Sequence, residues 1–126
     1  MDKQIIATEH APGAIGPYSQ GIAAGNLVFT SGQLPIDMRT GELESADIAL
    51  ATRYALENVS AILQAAGLSL DQAVKVTVFL TDMADFAAVN QAYAEFFVQD
   101  PPARSCVQVA ALPKGARIEI EAVAAR

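Results

Sequence analysis

Two short runs of strict alternation close the chain, and a period of two fits a β-strand and not a helix. In Ala103 to Ala110, Arg104, Cys106 and Gln108 share one face while Ser105, Val107 and Val109 share the other. In Arg117 to Val123, Arg117, Glu119 and Glu121 oppose Ile118, Ile120 and Ala122. Leu112-Pro113-Lys114-Gly115 lies between the runs. Matching apolar to apolar faces predicts an antiparallel hairpin, with Cys106 opposite Glu119 and Arg104 opposite Glu121. That register puts a cation on the same sheet face as Glu119, an anion-binding group beside a carboxylate.

The rest of the chain supplies partners for such strands. Lys3 to Thr8 reads as a short strand, and the breaker-rich stretch His-Ala-Pro-Gly-Ala-Ile-Gly-Pro that follows reads as loop. Ser19 to Ala24 and Leu27 to Ser31 form a predicted hairpin, turned by Gly25-Asn26. Pro35 to Glu42 is expected to be loop, with turn chemistry at Thr40-Gly41. From Ala46 to Ala66, Ile48, Ala55, Leu56, Val59, Ile62, Leu63 and Ala66 recur at helical spacing, and Gly67 supplies a stop. Val74, Val76, Val78 and Leu80 alternate with Lys75, Thr77, Phe79 and Thr81, which marks a central strand. Asp82 and Asp85 open a second helix whose buried stripe is Phe86, Val89, Tyr93 and Phe96 or Phe97, ended by Pro101-Pro102. The expected fold is α/β (α+β), with one sheet and two helices on a single face.

A chain of 126 residues fits one domain, 1–126, but is short for a deep cleft. Hydrophobic residues make up 52% and mean hydropathy is +0.29, high enough to predict that self-association covers the second sheet face. A net charge of −6 and a pI near 4.5 argue against nucleic acid or an anionic membrane as partner. One cysteine, Cys106, and one histidine, His10, are too few for an internal disulfide or a dedicated zinc site. The first residues, MDKQIIATEHAPG, lack the apolar core of a secretion signal, so a cytoplasmic location is the expectation.

The blocks AIGPYSQGI, VFTSGQLPIDMRTGEL, NVSAILQAAG, VTVFLTDMADFAAVNQAYAEFF and PPARSCVQVAALPKGARIEIEAVA follow one another across nearly the whole chain. In order and spacing they resemble the reactive intermediate deaminase A (RidA), or YjgF-like, family. IGPYSQ, SGQ, DFAAVN, PARS and IEIEA are together highly specific. The resemblance implies a chorismate-mutase-like α/β fold and a homotrimer with ligand clefts between subunits. It also implies hydrolysis of reactive enamines and imines, such as 2-aminoacrylate from pyridoxal-phosphate enzymes, to 2-keto acids and ammonia. By motif match it assigns Arg104 and Glu119 to catalysis, and Tyr18, Ser31, Gly32, Asn90, Arg104 and Cys106 to substrate binding. Gly21 stands where the family commonly has a slightly larger residue.

Those roles make chemical sense. An arginine fork suits bidentate capture of a substrate carboxylate, and a half-buried carboxylate can orient water and relay protons. A 2-imino acid is already electrophilic, so neither a metal nor an organic cofactor is expected. On the residues alone, Glu121 is an alternative to Glu119, Cys106 a small buried hydrophobe, Asn90 a helix-surface polar group, and Ser31 an ordinary strand end without a visible base. A cleft that binds 2-keto acids as a sensor, without catalysis, is the competing function. An endoribonuclease or translation inhibitor fits the acidic charge least.

Overall fold

Asp47 begins the longer helix: its carboxylate accepts the Leu50 N–H at 3.1 Å and caps α1 (Ile48–Ala65). The helix buries Ala55, Leu56, Val59, Ile62 and Leu63 of the predicted stripe together with Ala51, and Ile48 is half-buried against the same core. Gly67, at φ 79°, ends it by taking the left-handed conformation that a side chain disfavours. The Gly67 and Leu68 N–H groups then bond back to the Gln64 and Leu63 carbonyls, each at 2.9 Å. The computed structural model describes residues 2–126, and no helix among them is long and apolar enough to cross a membrane.

The first strand is β1 (Lys3–Ile6), followed by the hairpin β2 (Gly21–Ala24) and β3 (Leu27–Thr30), turned at Gly25 with φ 60°. Residues 35–42, expected to be loop, contribute most of a small separate ribbon, β4 (Ile36–Asp37) with β5 (Glu42–Leu43), closed by Gly41 at φ 78°. The side chain of Asn58, buried in α1, donates to the Leu34 and Ile36 carbonyls and fixes this ribbon to the helix. After α1 comes β6 (Ala73–Leu80). Val76, Val78 and Leu80 are buried, whereas a register shift between Ala73 and Lys75 turns Val74 outward. Asp82 caps a single 3₁₀ turn that leads into α2 (Phe86–Ala94). Asp85 does not cap; it pairs with Arg117 through contacts of 2.9 and 3.0 Å.

The remaining strands are β7 (Ala103–Gln108) and β8 (Ile118–Ala125). They do not form a hairpin. The six-stranded order is β1-β2-β3-β8-β6-β7, so β6 lies between them, parallel to β7 and antiparallel to β8. Burial accounts for the arrangement. Ile118, Ile120, Ala122 and Ala124 of β8 are all buried and require neighbours on both sides, while β7, with Arg104, Ser105 and Gln108, tolerates the edge. The sheet is mixed, with both helices on one face, and its core comprises Val28, Leu56, Val59, Val76, Val78, Ile118 and Ile120 among others.

This order also overturns the predicted face. Arg104 is in register with Val76 and Ala122, and Cys106 with Val78 and Ile120, so both belong to the helix-covered face. Glu119 is in register with Phe79 and Val107, and Glu121 with Thr77 and Ser105, on the opposite face. Arg104 and Cys106 share a face as expected, but Glu119 does not share it with them. The apolar residues Ile5, Phe29 and Val107, exposed by 67%, 40% and 43%, lie on the face without helices.

Gly21 has a local cause. A Cβ there would stand 2.7 Å from the Ile62 Cγ2 of α1. Gly21→Ala is therefore expected to destabilise the fold by about 1–3 kcal/mol through overpacking, read as a lower midpoint in denaturant titrations.

Candidate active site

Hydrogen bonds in two loops build one half of the site. The buried Gln20 amide donates to the Thr8, Ala11 and Pro12 carbonyls and accepts the Thr8 N–H at 2.7 Å. It pins the stretch before Tyr18. Tyr18 accepts the Ile15 N–H at 3.2 Å and is 46% exposed, so its ring forms a wall and its hydroxyl closes the local turn. Ser31 receives support from the same loop: its N–H donates to the Gln20 carbonyl and its hydroxyl to the Ser19 carbonyl at 2.6 Å. That hydroxyl proton is already engaged with a carbonyl, not with a base, which speaks against a nucleophilic serine.

Gln33 bridges to Ile120 of β8 through backbone bonds of 2.7 and 3.1 Å, and its side chain donates to the Ser31 and Gly32 carbonyls. The bridge brings Gly32 against Glu119. A Cβ on Gly32 would come within 2.6 Å of the Glu119 Oε1 and 2.7 Å of its Cδ, so the carboxylate occupies space that glycine leaves vacant. Ile15, Tyr18, Ser31, Gly32, Pro113, Glu119 and Glu121 line an open cleft of about 580 Å³. Burial, and secondarily the nearby Glu121 charge, push the Glu119 pKa above the ordinary glutamate value of 4.5. Such a group holds a proton more readily than a solvated carboxylate.

The other half is at the β7 edge. Arg104 Nη1 donates to Asn90 Oδ1 at 2.8 Å, and the guanidinium carbon lies 4.8 Å from the Tyr93 ring centroid and 5.6 Å from that of Phe86. Asn90 is thus half-buried and engaged with the arginine, not a plain helix-surface group. Cys106 is half-buried against the core, and burial pushes its thiol pKa up despite the Arg104 charge. It is a wall residue with little thiolate character.

The seven residues singled out in the sequence therefore fall into two groups within one chain. Tyr18, Ser31, Gly32 and Glu119 converge, as do Asn90, Arg104 and Cys106, but the groups occupy opposite sheet faces. Gln20 and Gln33, which hold the first group, were not singled out, and an isolated glutamine carries no pattern that would mark it. Phe86 and Tyr93 were assigned to the core. Their spacing from Asn90, at i, i+4 and i+7, was the available sign that all three contact one group. Among the described residues, no three His, Cys, Asp or Glu side chains gather to hold a metal ion.

A family model described as endoribonuclease L-PSP matches residues 8–126. A RutC family protein of Pyrococcus horikoshii is 57% identical over 122 residues, covering 97% of each chain. The 2-iminobutanoate/2-iminopropanoate deaminase of Escherichia coli K12 is 55% identical over 124 residues, covering 96% of each. The crystal structure of E. coli TdcF with bound serine superposes with a TM-score of 0.93 at 54% identity, covering 98% of both chains. Matches of this extent, on a fold with the expected sheet and helix layers, place the chain in the RidA/YjgF-like family.

Proposed function

We propose that the protein is a 2-imino acid deaminase, hydrolysing 2-iminobutanoate, 2-iminopropanoate and their enamine forms, such as 2-aminoacrylate, to 2-oxo acids and ammonia. The supporting relatives are the E. coli deaminase and TdcF, whose bound serine has an α-carboxylate and a nitrogen on C2. The observation that carries the reading is Glu119, a half-buried carboxylate with raised proton affinity lying over Gly32 in an open cleft. The reaction begins as Arg104 grips the substrate carboxylate. Glu119 then takes a proton from water as the water oxygen bonds to C2, the C=N electron pair moves to the nitrogen, and Glu119 returns that proton to the nitrogen. In the collapse of the carbinolamine Glu119 removes the hydroxyl proton as the C=O bond forms and passes it to the nitrogen, which departs as ammonia when the C–N bond breaks. Tyr18, Ser31, Gly32, Asn90 and Cys106 shape and line the pocket.

Opposite placement of Arg104 and Glu119 favours clefts shared between chains. We take the assembly to be a homotrimer in which the face bearing Ile5, Phe29, Val107 and Glu119 is covered by neighbours, and the Arg104 edge of one chain meets the Glu119 cleft of the next. Ammonia release from freshly generated 2-iminobutanoate, against a control without protein, tests the activity. Binding of 2-oxobutanoate with no acceleration would replace the deaminase with a carboxylate sensor.

Gly32→Ala probes the cleft. The added methyl displaces the flexible end of Glu119 and leaves the backbone in place. The expected result is a folded protein whose kcat falls by about 10-fold or more through misplacement of the carboxylate. Unchanged kcat would detach Glu119 from the chemistry.

A further inference from the structure

Arg104 is held by one stripe of one helix. Phe86, Asn90 and Tyr93 place two rings and one amide oxygen around its guanidinium, with ring centroids at 5.6 and 4.8 Å and the oxygen at 2.8 Å. A ring attracts a cation through its π face and occupies none of the guanidinium N–H donors. Asn90 takes only an Nη1 donor, so most of the fork stays available for a carboxylate. A salt bridge to Asp or Glu in place of the rings would fix the arginine equally well but would occupy the edge that an anionic ligand needs. Tyr93 is itself braced: its ring centroid lies 4.6 Å from that of Phe97, a buried core residue.

The Tyr93 hydroxyl is buried and has no hydrogen-bond partner among the described residues. Burial pushes its pKa up to about 12, so it remains a neutral phenol.

We infer that Tyr93 is a positioning residue for the reaction: its ring face, flanked by Phe86, aims Arg104 at the substrate carboxylate and keeps the fork free to bind it. The inference rests on Arg104 being the carboxylate grip proposed above.

The test places phenylalanine and then successively fluorinated phenylalanines at position 93 of the assembled protein. Affinity for 2-oxobutanoate is measured by calorimetry, beside Arg104→Ala. Fluorine withdraws charge from the ring face with little change of shape, so a packing role would not follow it. Tyr93→Phe is expected to bind within about twofold of the parent, and full fluorination to weaken binding by about 3- to 30-fold, the range of a cation–π contact. A flat series, or a large loss in Tyr93→Phe itself, would overturn the inference. If Arg104→Ala binds as well as the parent, the underlying assignment of Arg104 fails. If Arg104→Ala loses binding and the series is flat, only the role of Tyr93 fails.

Discussion

Glu119→Gln is expected to lower kcat for 2-iminobutanoate by about 10²- to 10⁴-fold, the range that a positioned general acid–base supplies. Glutamine preserves the size of the side chain over Gly32 and keeps the cleft filled. Affinity for 2-oxobutanoate should therefore change little, and the loss should fall on kcat rather than KM. Equal losses in binding and turnover would reassign Glu119 to ground-state recognition. Unchanged turnover would remove it from the mechanism and turn attention to Glu121, which lines the same cleft.

The pH dependence follows from the same group. Glu119 must be ionised to take a proton from water, and its pKa is raised by burial first and Glu121 second. Activity should rise with pH through a value above the ordinary 4.5 and level off beyond it. Glu121→Gln removes the like charge and should move that limb to lower pH. Stability runs in the opposite direction. A raised folded pKa means that the protonated carboxyl suits the fold better, so its contribution is full below the unfolded value and lost as pH rises through the folded one. Glu119→Gln should consequently be more stable than the parent at neutral pH, with the difference vanishing under acid. Chemical denaturation at the two pH values reads this directly.

Which parts of this architecture were legible in the sequence follows from where the information resides. Helix α1 has a long periodic stripe, an aspartate cap and a glycine stop, all local signals, and it formed with boundaries close to those expected. The β2–β3 hairpin has the same character, since Gly25 encodes its own turn. The pairing of β6 with both β7 and β8 is non-local, and there the expected β7–β8 hairpin fails. Two alternating strands separated by a Pro-Gly segment look like a hairpin, but the apolar content of β6 and β8 makes both central, and β7 is pushed to the edge. The mistaken neighbour carried a mistaken face with it. Val107, expected on the apolar face of the hairpin, is 43% exposed, while Arg104, expected on the face of Glu119, rests on α2. The motif matches selected residues that do gather into two clusters, yet a motif does not state which chain completes a site.

Arg104→Ala tests that last point most severely. A charge-assisted hydrogen bond contributes roughly 1.5–3 kcal/mol, so losing the grip should reduce kcat/KM by about 10- to 150-fold. The fold should survive, because Arg104 is on an edge strand, makes no ion pair among the described residues and has the rings of Phe86 and Tyr93 beneath it rather than buried carboxylates that would be stranded. On its own this loss does not say whose Glu119 completes the cleft. Mixing does. In one chain Arg104 and Glu119 occupy opposite faces, so a cleft containing both must draw them from different chains. Unfolding and reassembling equal amounts of Arg104→Ala and Glu119→Gln should then yield some clefts with an intact arginine from one variant and an intact glutamate from the other. With random assembly into closed rings, about one quarter of the clefts are complete, and activity should recover to about that fraction of the parent. If each chain carried its whole site, no mixture of the two would exceed the activity of the better variant, and the shared cleft would be lost as an explanation for why one fold separates its arginine from its glutamate.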